Sequence, residues 1–419
     1  MNADATKYFV FYTETDHGHA TRYFSGQRRV NMGGLIIKNI GTLVSGDISN
    51  PILKADALFV DGGVIRAIGK ERELEAKGVD QVMDIGGMTL TPGLIDSHSH
   101  PVLGDFTPRQ KMLDYIDSSL HGGVTTMISA GEVHLPGRPK DVAGTKALAI
   151  LAAKSFASAR PAGVKVLGGS LILEPGLQEK DFEELAREGV RVVGEIGLGG
   201  IKSPKDAAPM VKWAKKYGMV VMMHTGGTSI PGSTTVSAED VIATDPDIVS
   251  HINGGPTAVS IAEAERLIRK TNLTIEIVHC GNSRMIVDVM KIVREAKAYP
   301  RIIIGNDAPS GTGVIPLGIL RVINFLASLC DVKAEEAIAM ATGNTAKVFK
   351  LNRGVVEVGR EADLVIMDAP MGSVGKDALS AIEAGDIPGV AAVLIDGQMK
   401  CGVSRNTPPP NRKIVSSKV

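Results

Sequence analysis

Thr91-Pro92-Gly93-Leu94-Ile95-Asp96-Ser97-His98-Ser99-His100 is an apolar run that ends in two histidines one residue apart. Side chains alternate in direction along a strand, so His98 and His100 leave the same face, side by side. Two neutral imidazoles placed this way are good ligands for a borderline metal such as zinc or iron(II). Taken alone, such a pair also has the plainer reading of two surface histidines at a polar strand end, and the downstream sequence decides against it.

Later runs keep time with the first. Val190-Arg191-Val192-Val193-Gly194-Glu195, Met219-Val220-Val221-Met222-Met223-His224, Asp247-Ile248-Val249-Ser250-His251, Leu273-Thr274-Ile275-Glu276-Ile277-Val278-His279 and Arg301-Ile302-Ile303-Ile304-Gly305-Asn306-Asp307 are all mostly apolar and each ends in an acid or a histidine. From Glu195 through His224, His251 and His279 to Asp307 the interval stays between 27 and 29 residues. That is about one strand, one helix and two loops. Helical patterns such as Asp206 to Lys216 lie between the runs. A repeating βα unit with reactive residues at strand C-termini is how a (β/α)8 TIM-like barrel builds an active site, and α/β is the expected class.

The bulk composition narrows the partners. Lys+Arg and Asp+Glu balance at 46 each, which gives no electrostatic argument for nucleic acid or an anionic membrane. Cys280, Cys330 and Cys401 are widely spaced, as suits a reducing compartment without a disulfide framework. No apolar run is long enough to span a bilayer, and Tyr8-Phe9-Val10-Phe11-Tyr12 is too short for a signal-peptide core. A cytoplasmic protein with no nucleic-acid or membrane partner is expected.

The texture of the chain suggests five stretches, two of which are expected to form one domain. Residues 1–31 are polar and mixed, an expected disordered extension. Short strands fill 34–90, with Asp61-Gly62-Gly63 as a hairpin signal. The barrel pattern occupies 91–350, its last helix expected over Ala334 to Phe349 with Asp331 as N-cap. Short strands return over 351–404, and the two flanks are expected to pair into one composite β-sandwich, since each is too small to bury a face alone. The tail 405–419, with Pro408-Pro409-Pro410, is expected to lie extended over a surface or a neighbouring subunit.

A β-sandwich interrupted by a barrel whose first strand carries His-x-His resembles the amidohydrolase superfamily. The stretches Leu120 to Gly131, Met223 to Gly232, Ser250 to Pro256 and Gly305 to Gly311 resemble its enamidase branch. The resemblance runs from about Leu35 to Pro409. Residues 1–31 have no counterpart in it, and their removal is expected to leave activity intact. Many two-metal members of the superfamily carry a carboxylated lysine at the end of strand four. Here Glu195 stands there, with Lys202 as the fallback bridge.

The resemblance implies a ligand set. His98 and His100 hold one divalent metal, with Asp307 as a more distant contributor. Glu195 bridges, and His224 and His251 hold the second metal. It suggests zinc with iron(II), while imidazole and carboxylate donors also accept a zinc pair or manganese. Asp307 is the expected catalytic residue, taking the proton of a hydroxide held between the metals and passing it to the departing nitrogen. The implied reaction is hydrolysis of the cyclic amide 6-oxo-1,4,5,6-tetrahydronicotinate to 2-formylglutarate and ammonia, in nicotinate degradation. The substrate carboxylate calls for a cation, for which Arg109 and Arg138 are candidates. Thr225 and His279 are further candidates for substrate contact, His134 for the pocket mouth, and His121 for a structural role. The alternatives are a dihydroorotase-, dihydropyrimidinase- or deaminase-like hydrolase, or a scaffold that has lost its metals. A homo-oligomer, with a tetramer as first guess, is the default assembly.

Overall fold

The computed structural model describes residues 33–74, 78–101, 114–132, 135, 137–228, 233–254, 258–308 and 315–419. The extension 1–31, Arg109 and His134 lie outside the described residues.

The apolar runs become eight parallel strands: β1 (Leu94–Ser99), β2 (Val124–Ser129), β3 (Lys165–Leu167), β4 (Val192–Ile196), β5 (Val220–Met223), β6 (Ile248–Val249), β7 (Thr274–Val278) and β8 (Ile302–Gly305). β1 to β3 form one sheet and β4 to β8 another. Parallel bridges at Leu171–Val193 and Ser99–Ala308 join the two at both seams, and the strands follow one another around a TIM-type barrel. Every residue of β4, β5, β6 and β8 is buried, as parallel strands covered by helices must be.

The helix Pro204–Lys216 shows how the intervening segments are specified. Ser203 caps it by accepting from the Asp206 amide, and Pro204 occupies the first turn, where a missing N–H costs nothing. Ala207, Met210, Val211 and Ala214 form the buried stripe at three- and four-residue spacing. Gly218, at φ +77°, ends it: the Met219 amide bonds the Ala214 carbonyl and the Gly218 amide bonds that of Lys215. This pairing needs a left-handed residue between, which glycine adopts without strain.

The last barrel helix departs from expectation. It runs as Ala334–Ala339, a π turn over Met340–Asn344, and Thr345–Val348, and its N-cap is Lys333 without a side-chain bond. Asp331 cannot cap it, because it sits at φ +54° just after the preceding helix, outside the extended conformation a cap requires. The π turn places the Asn344 amide group against the carbonyls of Tyr299 and Ile302, 2.9 and 2.8 Å away, at the base of β8.

Two further sheets come from the chain's flanks. One joins Gly34–Lys38, Ala57–Asp61, Val64–Gly69, Val79–Asp84 and Val415–Lys418; the other joins Thr42–Val44, Ile52–Leu53, Thr89–Pro92, Leu364–Asp368, Gly389–Ile395 and Gln398–Cys401. Leu35, Ile37 and Leu58 from the first share an apolar core with Leu43, Leu90, Leu364 and Leu394 from the second. Leu364–Asp368 pairs with Gly389–Ile395 on one side and Thr89–Pro92 on the other, so strands from both flanks join in one sheet at that seam. Gly62 and Gly63, both at positive φ, make the expected hairpin turn.

The C-terminal tail, expected to lie extended over a surface or a neighbouring subunit, ends in an extended, exposed strand. Val415–Lys418 pairs antiparallel with Val79–Asp84, covering an edge whose amides and carbonyls would otherwise lack strand partners. Arg412 anchors the approach by bonding the Gly87 carbonyl at 2.6 Å and the buried carboxylate of Asp368.

Barrel and sandwich meet around Lys165, which is 5% exposed. Its Nζ lies 2.7 Å from Glu361, 2.8 Å from Asp363 and 2.6 Å from Asp396. All three cysteines are free and buried. Among the described residues no helix is long and apolar enough to cross a membrane.

Candidate metal centre

The barrel brings six of the candidate side chains to one end. His98 and His100 lie on and just past β1, Glu195 in β4, and His224, His251 and Asp307 just past β5, β6 and β8. His98 Nε2 and His100 Nε2 are 3.2 Å apart, and each faces the same Glu195 oxygen, Oε2, at 3.4 and 3.8 Å. The other oxygen, Oε1, faces His251 Nε2 at 2.6 Å and His224 Nδ1 at 4.0 Å, and these two nitrogens are 3.1 Å apart. One carboxylate thus lies between two histidine pairs. Asp307 Oδ1 sits on the first pair's side, 3.3 Å from His100 Nε2 and 3.6 Å from His98 Nε2.

The far nitrogens of three rings are held in place. His98 Nδ1 lies 2.7 Å from Glu276 Oε2, His100 Nδ1 lies 2.9 Å from the Gly131 carbonyl, and His224 Nε2 lies 3.1 Å from the Gly227 carbonyl. These groups accept, so each ring places an N–H on the far side and leaves its other nitrogen facing inward, where the neutral ring offers a lone pair. Gly305 makes room for the first strand: a Cβ there would fall 2.6 Å from the Cβ of His98.

Local backbone geometry aims two of the groups. His251 and Asp307 are non-glycine residues at φ +34° and +57°. Such conformations cost roughly 1–3 kcal/mol and persist where the surroundings over-determine them. For Asp307 they do: its amide bonds the His98 carbonyl at 2.8 Å, and the preceding Asn306 amide bonds Asp96 Oδ1 at 2.9 Å.

Charge is unevenly distributed. Glu195 and Glu276 are buried and Asp307 is mostly so, yet no lysine or arginine among the described residues pairs with any of them. Burial opposes a charge on His98, but the carboxylates of Glu276, Glu195 and Asp307 hold its pKa well above the ordinary histidine value. Burial and the neighbouring His251 push His224 down to about 4. Burial raises Asp96 to about 7 against the amide bonds it accepts. Buried carboxylates facing inward imidazole nitrogens, with no lysine or arginine beside them among the described residues, form a donor set that fits divalent ions. At this end of the barrel two triads lie close enough to hold an ion, His98–His100–Glu195 and Glu195–His224–His251; a third group among the described residues, Glu361–Asp363–Asp396, already surrounds the Lys165 ammonium.

The remaining candidates fall elsewhere. Arg138 Nη2 lies 2.7 Å from Glu174 Oε1, both side chains buried, so its charge is met within the scaffold of loops. The Thr225 hydroxyl is fully buried and donates to the Ser250 carbonyl at 2.7 Å. His279 is part-buried after β7, its Nδ1 without a partner among the described residues. His121 Nδ1 lies 3.0 Å from Cys401 Sγ, linking the start of β2 to a sandwich strand. Sequence reasoning missed Glu276, Ser97 and Asp96, although all three support the centre's geometry.

Residues 89–400 match the amidohydrolase family model. The chain is 58% identical to the enamidase of Eubacterium barkeri over 381 residues, covering 91% of this chain and 99% of that protein. It is 25% identical to an imidazolonepropionase of Pseudomonas savastanoi over 386 residues, covering 79% of this chain and 91% of that protein. The crystal structure of an enamidase superposes with a TM-score of 0.88 at 57% identity, covering 92% of this chain and all of the other.

Proposed function

The chain belongs to the amidohydrolase family, and from that premise we propose that it hydrolyses the lactam C–N bond of 6-oxo-1,4,5,6-tetrahydronicotinate. The observation that carries the metal-dependent part is Glu195, whose two oxygens face separate histidine pairs. The substrate rests on the likeness to enamidase along almost the whole of that protein.

His98, His100 and Glu195 would hold one divalent ion and Glu195, His224 and His251 the other, with Asp307 beside the first. Bound there, such ions lower the pKa of a water molecule and polarise an amide carbonyl. We assign them as zinc and iron(II), with a zinc pair or manganese as the other compositions these donors accept.

Asp307 performs the proton transfer. Its carboxylate accepts a proton as water adds to the lactam carbon, then delivers it to the ring nitrogen as the C–N bond breaks. The bond from its amide to the His98 carbonyl, which holds its backbone beside β1, supports this role. The freed enamine tautomerises to an imine, and a second water releases ammonia and leaves the aldehyde of 2-formylglutarate. This last stage needs no group from the protein. The enzyme is expected to act in the cytoplasm as a homo-oligomer, with a tetramer the first state to test.

Ammonia release from 6-oxo-1,4,5,6-tetrahydronicotinate by metal-loaded and metal-stripped protein tests the reading. Release by the loaded protein alone supports it. No release from the loaded protein overturns the substrate, and equal release from both overturns the metal requirement.

A further inference from the structure

Glu276 is the only ionisable side chain in β7 and is fully buried. Its carboxylate is occupied on both oxygens. Oε2 lies 2.7 Å from His98 Nδ1 and 3.2 Å from the His251 amide, and Oε1 accepts from Ser97 Oγ at 2.5 Å. A carboxylate in this place can only accept, so it draws the His98 proton to Nδ1 and frees Nε2 to face Glu195 and His100.

The other rings are held differently. His100 and His224 lean on neutral backbone carbonyls, and His251 Nδ1 is buried without a partner among the described residues. Among the described residues, the far nitrogen of His98 is the one seen against an acid. An imidazole whose far N–H is given to a carboxylate is a more basic ligand and is fixed in ring orientation and tautomer. The same oxygen also holds the His251 amide, at the residue whose φ of +34° turns its ring into the centre. One buried acid therefore reaches both halves, through a side chain in one and the backbone in the other.

We infer that Glu276 is a positioning residue, held by Ser97, that sets the metal affinity of the His98–His100 half of the centre. The inference rests on the proposed metal centre but not on the identity of the substrate. A buried acid that merely fills the barrel interior would affect folding and leave ion affinity alone.

The experiment is zinc titration of metal-stripped full-length protein against a competing chelator, with thermal melting of the same samples. Loss of the affected zinc class in His100→Asn and its persistence in His224→Asn identify the half concerned. In Glu276→Gln, which keeps shape but not charge, that class is expected to weaken by ~10–100-fold while the other holds. Ser97→Ala frees one carboxylate oxygen and is expected to shift the same class in the same direction by less. Wild-type zinc constants at both sites in Glu276→Gln overturn the inference. Should that variant fail to fold, unchanged affinity in Ser97→Ala overturns it instead. Wild-type protein that binds no zinc removes the metal-centre reading itself, and the inference with it.

Discussion

Asp307 Oδ1 stands 3.3 Å from His100 Nε2, on a backbone held at φ +57°. The carboxylate therefore borders the first histidine pair and is mostly covered from solvent, where a proton acceptor would act. Asp307→Asn keeps the size and one acceptor oxygen but cannot take up the proton. Turnover is expected to fall by ~10²–10⁴-fold, the usual contribution of a positioned acid or base. Metal content, measured on the same sample, should stay near that of the wild type. Near-normal turnover with both ions present would remove Asp307 from the proton path.

Glu195 is the one side chain shared by the two candidate triads. Burial works against its charge, but His98 and His251 hold its pKa well below the ordinary glutamate value. Glu195→Gln removes the negative charge from the middle of the centre and leaves one of its two positions with an amide nitrogen, which is not a metal donor. Elemental analysis is expected to find at least one ion lost, with turnover falling in parallel. Retention of both ions at wild-type affinity would mean that the carboxylate does not bridge them.

Much of this centre was legible because its residues sit at strand ends and repeat with the βα unit. His98, His100, Glu195, His224, His251 and Asp307 each close an apolar run, and burial on both faces forces such runs in a parallel barrel. Glu276 was hidden for the opposite reason. It lies inside a run rather than at its end, and its partner His98 is 178 residues away. The interruption of Leu273-Thr274-Ile275-Glu276-Ile277-Val278 by an acid was the available signal, since a charge in a buried strand must have a partner. The strand Val415–Lys418 left no such signal. All four of its residues are exposed, and it is held by backbone pairing, which side-chain periodicity does not report.

Arg138 and Glu174 form an ion pair with side chains 8% and 2% exposed. Removing one partner leaves a buried charge unmatched, which typically costs ~3–5 kcal/mol. Arg138→Ala is accordingly expected to lower thermal stability, with loss of turnover following loss of fold. Melting curves and KM separate this from direct substrate contact. A variant with wild-type stability and a sharply raised KM would place the guanidinium at the substrate carboxylate after all.

The junction around Lys165 makes a prediction in acid. Glu361 is part-buried against Lys165 and Arg353, at 2.7 and 2.8 Å. Burial tends to raise its pKa, but the two cations outweigh that and hold it below the ordinary value of 4.5. A carboxyl whose folded pKa is depressed binds fewer protons folded than unfolded, so stability rises with pH across that interval. Its contribution is complete above 4.5 and is lost as the pH falls from there through the folded value. Glu361→Gln has no such proton to take up. It should melt lower than wild type at neutral pH, because Lys165 and Arg353 lose a counter-charge, and the gap should narrow as the pH drops below 4.5. Melting temperatures of both proteins across an acid series test this. A gap that stays constant would show that the Glu361 charge contributes nothing to holding barrel and sandwich together.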